Sequence, residues 1–263
     1  MDLQSLSELT ARHSFSSKSD FISKLYLDIN EIIVSLENTS DKYFSDDEDK
    51  ITNYIVNGLS WLGYDASEQT KQVGSVDLTV FTKDRLYKWI GEAKIGYDNS
   101  KIFEGLLQLV TRYVKRDENA GLIIYFQKND ARLYFIRWLE YLFGKDWVKY
   151  CNRKKNLHLV EPCLGHLKKE DFTQNNQYHY DVVVKKPNGD PIEIRVFFAD
   201  LYHEPADKSG VSNKSIKNGQ AKNKIREYTS AWFNEDFDEK DLKSLFENLK
   251  VFLGKDFDPD DIE

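Results

Sequence analysis

The sequence predicts an α/β protein with a mixed central sheet flanked by helices, and three observations support this fold class. Apolar residues recur at helical spacing from residue 21 to residue 36. Residues 76–82 and 86–95 alternate apolar and polar side chains, as half-buried strands do. Residues 121–126 form a short apolar run that suits a buried strand. At 263 residues and 40% hydrophobic content, the chain is long enough to bury a sizeable core as one domain or two.

Helical periodicity appears in six segments of the chain. They are residues 19–36, 46–62, 102–114, 130–150, 216–233 and 238–252. The last two are expected to follow a mobile basic loop at residues 206–226, which is rich in Ser, Asn and Gly and carries a net charge of +5. The helical segments alternate with the strands in the first half of the chain, which favours a sheet covered by helices.

Two further strands are predicted in the second half of the chain. Residues 178–185 and 192–198 flank the sequence Pro187-Asn188-Gly189-Asp190, which is a strong hairpin turn signal. Residues 156–160 are a weaker strand candidate. This late hairpin could extend the sheet, mediate dimerisation or grip a nucleic acid.

Composition excludes several classes of protein. No run of about 18 apolar residues is present, which argues against a transmembrane helix, and the polar, acidic N-terminus is unlike a secretory signal. Two cysteines exclude a disulfide scaffold. The net charge is −7, but residues 234–263 hold eleven acids against four lysines, so the remaining residues are neutral overall. We expect a cytoplasmic protein.

The residues that indicate chemistry are Asp77, Glu92 and Lys94. If residues 76–95 form a hairpin centred on Asp84, Asp77 and Glu92 lie nearly opposite each other on adjacent strands. Glu92 and Lys94 are two residues apart and therefore share one face of their strand. The expected result is two carboxylates and one ammonium clustered beside a buried strand pair.

Two facing carboxylates repel each other and need a cation. Mg²⁺ suits such a site, because it prefers carboxylate, water and phosphate oxygens. A metal in that position polarises a phosphoryl oxygen and activates a water, and Lys94 would assist that water and stabilise the charge that develops. The pattern therefore predicts phosphodiester hydrolysis that depends on Mg²⁺ or Mn²⁺. An ordinary ion pair on the surface of a hairpin is the structural alternative.

The pattern resembles the PD-(D/E)xK nuclease superfamily, which has the restriction-endonuclease-like fold. The matching residues are Gly74-Ser75-Val76-Asp77 and, fifteen residues after Asp77, Glu92-Ala93-Lys94. Val76 replaces the Pro for which the family is named. The order helix, strand, strand, helix, strand, helix over residues 45–150 matches the family core. The resemblance covers about 105 residues, and a Glu-x-Lys motif alone is weak because Glu48-Asp49-Lys50 is a second instance.

The resemblance implies further site residues. An acidic residue in a preceding helix is typical of the family, and Glu48 is the best match, with Asp46, Asp47 and Asp49 as competing choices. Many members carry a Gln in the helix after the lysine, and Gln108 occupies that place. Asp77, Glu92 and Glu48 would then hold the metal. The basic segment adds weaker candidates for nucleic-acid contact. These are Lys214, Lys217, Lys222, Lys224 and Arg226.

On this basis the chain divides into four parts. Residues 1–44 form an N-terminal helical segment, 45–150 the nuclease core, 151–233 an extension of hairpin, basic loop and helix, and 234–263 an acidic C-terminal helix and tail. The resemblance implies a DNA endonuclease that serves as the effector of a bacterial antiviral system, controlled by a partner ATPase or sensor and acting as a homo-oligomer. RNA as substrate, and a non-catalytic interaction or DNA-binding subunit on the same fold, are the alternatives.

Overall fold

The structure is a computed structural model that describes residues 15–71, 75–173 and 177–254. Gly74 of the sequence motif, the first part of the N-terminal segment and residues 255–263 of the acidic tail lie outside the described residues. Within the described part of the chain, no helix has the length and apolar content that a bilayer crossing requires.

Six strands form one mixed sheet in the order β1-β2-β3-β4-β6-β5. They are β1 (Asp65–Lys71), β2 (Ser75–Phe81), β3 (Lys88–Ile95), β4 (Asn119–Phe126), β5 (His179–Lys185) and β6 (Pro191–Asp200). The pairs β1–β2, β2–β3 and β5–β6 are antiparallel, whereas β3–β4 and β4–β6 are parallel. The predicted α/β class with a mixed sheet is therefore confirmed, and the late hairpin extends the sheet.

Helices cover both faces of this sheet. They are α1 (Lys18–Asn38), α2 (Glu48–Trp61), α3 (Asn99–Gln108), α4 (Ala131–Phe143), α5 (Trp147–Lys154), α6 (Leu157–Leu164), α7 (Lys208–Ser212), α8 (Lys214–Phe233) and α9 (Leu242–Leu253). A π-helical turn, Leu109–Tyr113, continues α3. Apolar side chains of α1 and α2 pack on one face of the sheet, and those of α3 to α6 pack on the other. The result is a three-layer α/β/α arrangement.

Four local predictions were wrong. Residues 156–160, expected as a strand, begin helix α6, because an apolar run this short fits either element. Residues 130–150 form two helices separated by a break at Gly144. The predicted basic loop at residues 206–226 is mostly helical, since Asp207 and Asn213 accept hydrogen bonds from the first amides of α7 and α8. Strand β1 was not predicted.

Candidate active site

The candidate site lies where strands β2 and β3 separate. The two strands pair as far as Leu78 and Gly91, and one further step in this register sets Asp77 against Glu92. Beyond that point β2 continues to pair with β1 only, so β3 amides that would have completed the ladder need other acceptors. Ala93 N donates to Asp77 Oδ2 at 2.9 Å, and Ile95 N donates to Glu48 Oε2 at 3.0 Å. Carboxylates therefore replace the missing strand at this opening.

Three carboxylates converge on the ammonium of Lys94. Its Nζ lies 2.9 Å from Glu48 Oε1, 2.9 Å from Glu92 Oε1 and 3.4 Å from Asp77 Oδ2. It also donates to the carbonyl of Ala93 at 2.6 Å. The predicted grouping of Asp77, Glu92 and Lys94 is thus present in the structure, with Glu48 as a fourth member.

Each side chain reaches the cluster from a defined element. Asp77 projects from β2, Glu92 and Lys94 from one face of β3, and Glu48 from the first residue of α2. Helix α3 closes the cluster from the side, because a Cβ on Gly105 would stand 2.7 Å from Lys94 Cγ. A glycine at this position therefore lets the helix approach the lysine stem closely.

Glu48 is the only one of the four neighbouring acids that reaches Lys94. Asp46 pairs with Lys50 at 2.8 Å, one helical turn away. Asp47 pairs with Arg226 of α8, and Asp49 lies beside Lys50 on a different surface cleft. Among the competing choices that the sequence left open, the geometry selects Glu48.

Burial sets the electrostatics of the cluster. Desolvation raises the pKa of Glu92 to about 8, although the nearby Lys94 opposes the shift and Asp77 adds to it. Desolvation also raises the pKa of Glu48, again against the attraction of Lys94. For Lys94, burial alone would lower the pKa, but the charges of Glu48, Glu92 and Asp77 outweigh it and raise the pKa above its usual value. The ammonium therefore stays protonated.

One oxygen of the cluster has no partner. Glu92 is 1% exposed, and its Oε2 is buried without a hydrogen bond. An unsatisfied buried carboxylate oxygen is costly, and three carboxylates exceed the charge of one ammonium. The donor set and the orphan oxygen fit a hard divalent cation such as Mg²⁺.

The carboxylates, however, converge on the Lys94 nitrogen. As the side chains stand, the described residues contain no group of three or more His, Cys, Asp or Glu side chains arranged to hold a metal ion. The ammonium is therefore the counter-ion of Glu48, Asp77 and Glu92 in this structure, and a metal would have to share or replace its contacts.

The loop that leads into α2 is held by two amide side chains. Gln127 Nε2, at the end of β4, donates to the carbonyls of Tyr43 and Asp46 at 2.9 Å each. Asn223 Nδ2 of α8 donates to the carbonyl of Phe44 at 2.6 Å. Because Glu48 follows this loop directly, these hydrogen bonds fix the direction from which its carboxylate enters the site.

Gln108 does not join the cluster. It is partly buried and lines a groove of about 380 Å³ with Glu104, Thr111 and Arg112. The described structure contains no hydrogen bond between its side chain and the acidic cluster. The residue of this segment that lies near the carboxylates is Tyr113, which is 7% exposed and whose pKa is raised by desolvation first and then by the charge of Glu92.

The five basic candidates for nucleic-acid contact differ in their surroundings. Lys214 and Lys217 are exposed. Lys222 Nζ lies 3.6 Å from Asp47, which Arg226 also contacts, and Lys224 pairs with Glu227 at 2.9 Å. Three of the five therefore have acidic partners within the chain.

Sequence reasoning missed the residues that support the site. Gly105, Gln127 and Asn223 lie far from the motif in sequence and carry no motif of their own. The only available signal was the position of Gly105 inside an otherwise good helical stripe, where a glycine costs stability unless something packs against it. Tyr113 was visible in the helix after Lys94, without an assigned role.

The comparisons with known proteins give no match of any kind. No family model, no curated protein and no solved structure is detectably similar to this chain. The functional assignment below therefore rests on the residues and geometry of the chain.

Proposed function

We propose that this chain is a metal-dependent endonuclease that hydrolyses DNA phosphodiester bonds on a restriction-endonuclease-like fold. The observation that carries the proposal is the convergence of Glu48, Asp77 and Glu92 on Lys94 where two strands separate. An ordinary surface ion pair does not need three acids, and it does not bury one of them to 1% exposure.

Asp77, Glu92 and Glu48 are the residues that would hold Mg²⁺ or Mn²⁺. When bound, the metal would supply Lewis-acid polarisation of a phosphoryl oxygen and a more acidic water. The site is otherwise dominated by carboxylates, which repel a polyanionic substrate. This charge balance supports a requirement for the metal in substrate binding as well as in the reaction.

Lys94 has the role of a fixed cation. Its pKa is raised above the usual value, so it donates hydrogen bonds and does not accept protons. It would orient the attacking water and stabilise the negative charge that develops on the phosphoryl oxygens. Gly105 keeps the lysine stem in place, and Tyr113 restricts access of bulk water beside Glu92.

The biological role belongs to the proposal as well. The resemblance of the motif suggests the nuclease effector of a bacterial antiviral system in the cytoplasm, controlled by a partner ATPase or sensor. A body with no net charge, apart from residues 234–263, would bind DNA weakly until a partner raises its local concentration. Phage challenge of cells that carry the parent or Lys94→Ala checks this role, and equal protection by both would contradict it.

The decisive experiment is cleavage of supercoiled plasmid by the purified protein in Mg²⁺, with and without EDTA. We expect the parent to cleave only without the chelator and Lys94→Ala to lose at least 100-fold in rate. Lys83→Ala, an exposed lysine in the turn of the same hairpin, is the matched control and should cleave like the parent. A folded Lys94→Ala protein that cleaves at the parental rate would overturn the proposal. Competition between matched DNA and RNA duplexes would identify the sugar.

A non-catalytic interaction or DNA-binding subunit on this fold is the second candidate. It is favoured by one observation, the ammonium that already neutralises part of the acidic cluster in place of a metal. Calorimetric titration with Mn²⁺ separates the two. An endonuclease binds the ion and loses it in Asp77→Asn but not in Asp65→Asn, an acid that pairs with Arg85 elsewhere on the sheet. A parent protein that binds no Mn²⁺ would favour the second candidate.

A further inference from the structure

We propose that the hairpin formed by α8 and α9 is the surface through which two copies of this chain associate, with the hairpins antiparallel. The inference is independent of the nuclease activity. It rests on an apolar seam, on the area of that seam, and on the distribution of charge along the hairpin.

The first observation is that α9 is amphipathic but has no buried residue. It packs on α8, where Tyr228 Oη donates to Ser244 Oγ at 2.8 Å, and Leu245 is half-buried. Adjacent to this contact runs a second apolar stripe with the spacing i, i+4, i+7, i+11. Its members are Leu242, Phe246, Leu249 and Leu253. This is the spacing of a coiled-coil seam, and such a seam requires a facing helix.

The second observation is the size of the exposed apolar surface. Phe246 is 52% exposed, Leu242 47% and Leu253 39%. At the C-terminal end of α8, Trp232 is 66% exposed and Phe233 78%. At about 200 Å² per large side chain, the exposed apolar surface of the hairpin is on the order of 800 Å², which is about what one partner contributes to a standard interface.

The third observation is the distribution of charge along the hairpin. The connection between the helices, residues 235–241, holds five acids and one lysine. The first half of α8 is basic, and its Lys214 and Lys217 are exposed. At about 1.5 Å per residue, the two ends of α8 are roughly 30 Å apart. The hairpin therefore has an acidic tip and a basic base.

A second copy fits this surface better than an unrelated chain would. Two hairpins related by a two-fold axis and packed antiparallel place each acidic tip against the basic base of the other copy. The two seams then meet in the centre as a four-helix bundle. One arrangement thus covers the apolar stripe and pairs both charged ends, and parallel packing would set acid against acid.

The test is the mass of the full-length protein in solution, measured by light scattering and by sedimentation equilibrium at micromolar concentration. We expect a dimer for the parent and at least a 100-fold weaker association for Phe246→Glu. Val251→Glu is the matched control, because Val251 is 44% exposed and lies on the opposite side of α9, at about 100° per residue. A monomeric parent, or a Phe246→Glu protein that dimerises like the parent, would overturn the proposal.

Charge reversal tests the antiparallel arrangement. Lys214→Glu combined with Lys217→Glu should weaken the dimer at least 10-fold in low salt, and so should Asp238→Lys combined with Glu239→Lys. All four changes in one chain should restore it, because tip and base are then complementary again with the signs exchanged. A quadruple variant that associates more weakly than either double variant would contradict this arrangement. Circular dichroism confirms that each variant is folded.

Discussion

At the scale of single residues, the state of Lys94 depends on neighbours that differ in kind. Three carboxylates raise its pKa, while Gly105 gives its stem the space to reach them. The charge comes from the sheet and from α2, whereas the space comes from α3. Both are needed, because a buried ammonium without acids would lose its proton, and a displaced stem would lose the acids.

A methyl group at position 105 should therefore disturb the site. In an open helix Gly→Ala stabilises by about 1 kcal/mol, but here the new Cβ would stand 2.7 Å from Lys94 Cγ. We expect Gly105→Ala to give no stabilisation and to reduce plasmid cleavage at least 10-fold, measured by urea unfolding and single-turnover assays.

A double-mutant cycle provides the control. In the Lys94→Ala background the lysine stem is absent, so Gly105→Ala should recover the stabilisation of about 1 kcal/mol. Equal effects of Gly105→Ala in both backgrounds would show that the contact with Lys94 is not the cause.

Lys128 is a second buried cation, and its environment has the opposite effect on its pKa. Its Nζ donates to the carbonyl of Tyr97 at 3.0 Å and lies 3.6 Å from the centre of the Tyr134 ring. Desolvation lowers its pKa to about 8, although Glu227 and Asp98 act in the other direction. In the unfolded chain the pKa returns to about 10.4. The folded state therefore carries an energetic cost for charged Lys128 that is present in full below pH 8.

This cost should disappear as the pH rises from about 8 to about 10.5, since the unfolded chain binds the extra proton in that window. The unfolding free energy of the parent relative to Lys128→Met should rise by on the order of 2 kcal/mol over this range. Urea unfolding at several pH values measures the difference. Lys83→Met, at an exposed position, should show no such trend, and a flat difference for Lys128→Met would refute the assignment.

At the scale of elements, α8 acts on the site without contacting it. Asn223 and Arg226 bind the carbonyls of Phe44 and Ser45 in the loop before α2. Gln127 binds the same loop from the end of β4. The first residue of α2, Glu48, is therefore positioned from three sides of the molecule.

Asn223→Ala should loosen this loop. We expect a loss of about 1–2 kcal/mol in stability, because the carbonyl of Phe44 loses its donor. As a positioning effect, the Mg²⁺ concentration that gives half-maximal cleavage should rise several-fold while the rate at saturating Mg²⁺ changes less. Asn218→Ala, five residues earlier on α8, is the control and should leave both quantities unchanged. A similar Mg²⁺ dependence in Asn223→Ala and the parent would contradict the positioning role.

Elements also show where prediction from sequence stops. Strands β2, β3 and β4 were predicted because they are buried and alternate or run apolar. Strand β1, Asp65–Lys71, has the sequence Asp-Ala-Ser-Glu-Gln-Thr-Lys and no apolar pattern, since an edge strand can satisfy its backbone on one side and remain polar. Composition also failed for residues 206–226, where two side-chain caps start helices in a segment that reads as a loop.

At the scale of the whole molecule, the proposed dimer and the proposed nuclease make a joint prediction. A single centre cuts one strand, so linearisation of a plasmid in one binding event needs two centres. If both proposals hold, Phe246→Glu should convert supercoiled plasmid to nicked circles at a rate near that of the parent but should form linear product much more slowly. Gel analysis of the three forms over time measures this. Linear product formed by Phe246→Glu at the parental rate would separate strand cleavage from dimerisation.

The sequence by itself determined the α/β class, the hairpin at residues 76–95 and the proximity of Asp77, Glu92 and Lys94, because strand periodicity and register are local properties. Only the tertiary structure decided that Glu48 and not its neighbours reaches Lys94, that Gln108 stays outside the cluster, and that Gly105, Gln127 and Asn223 support it. These contacts join segments that are distant in sequence, so they depend on how whole elements pack, and no local pattern encodes that packing.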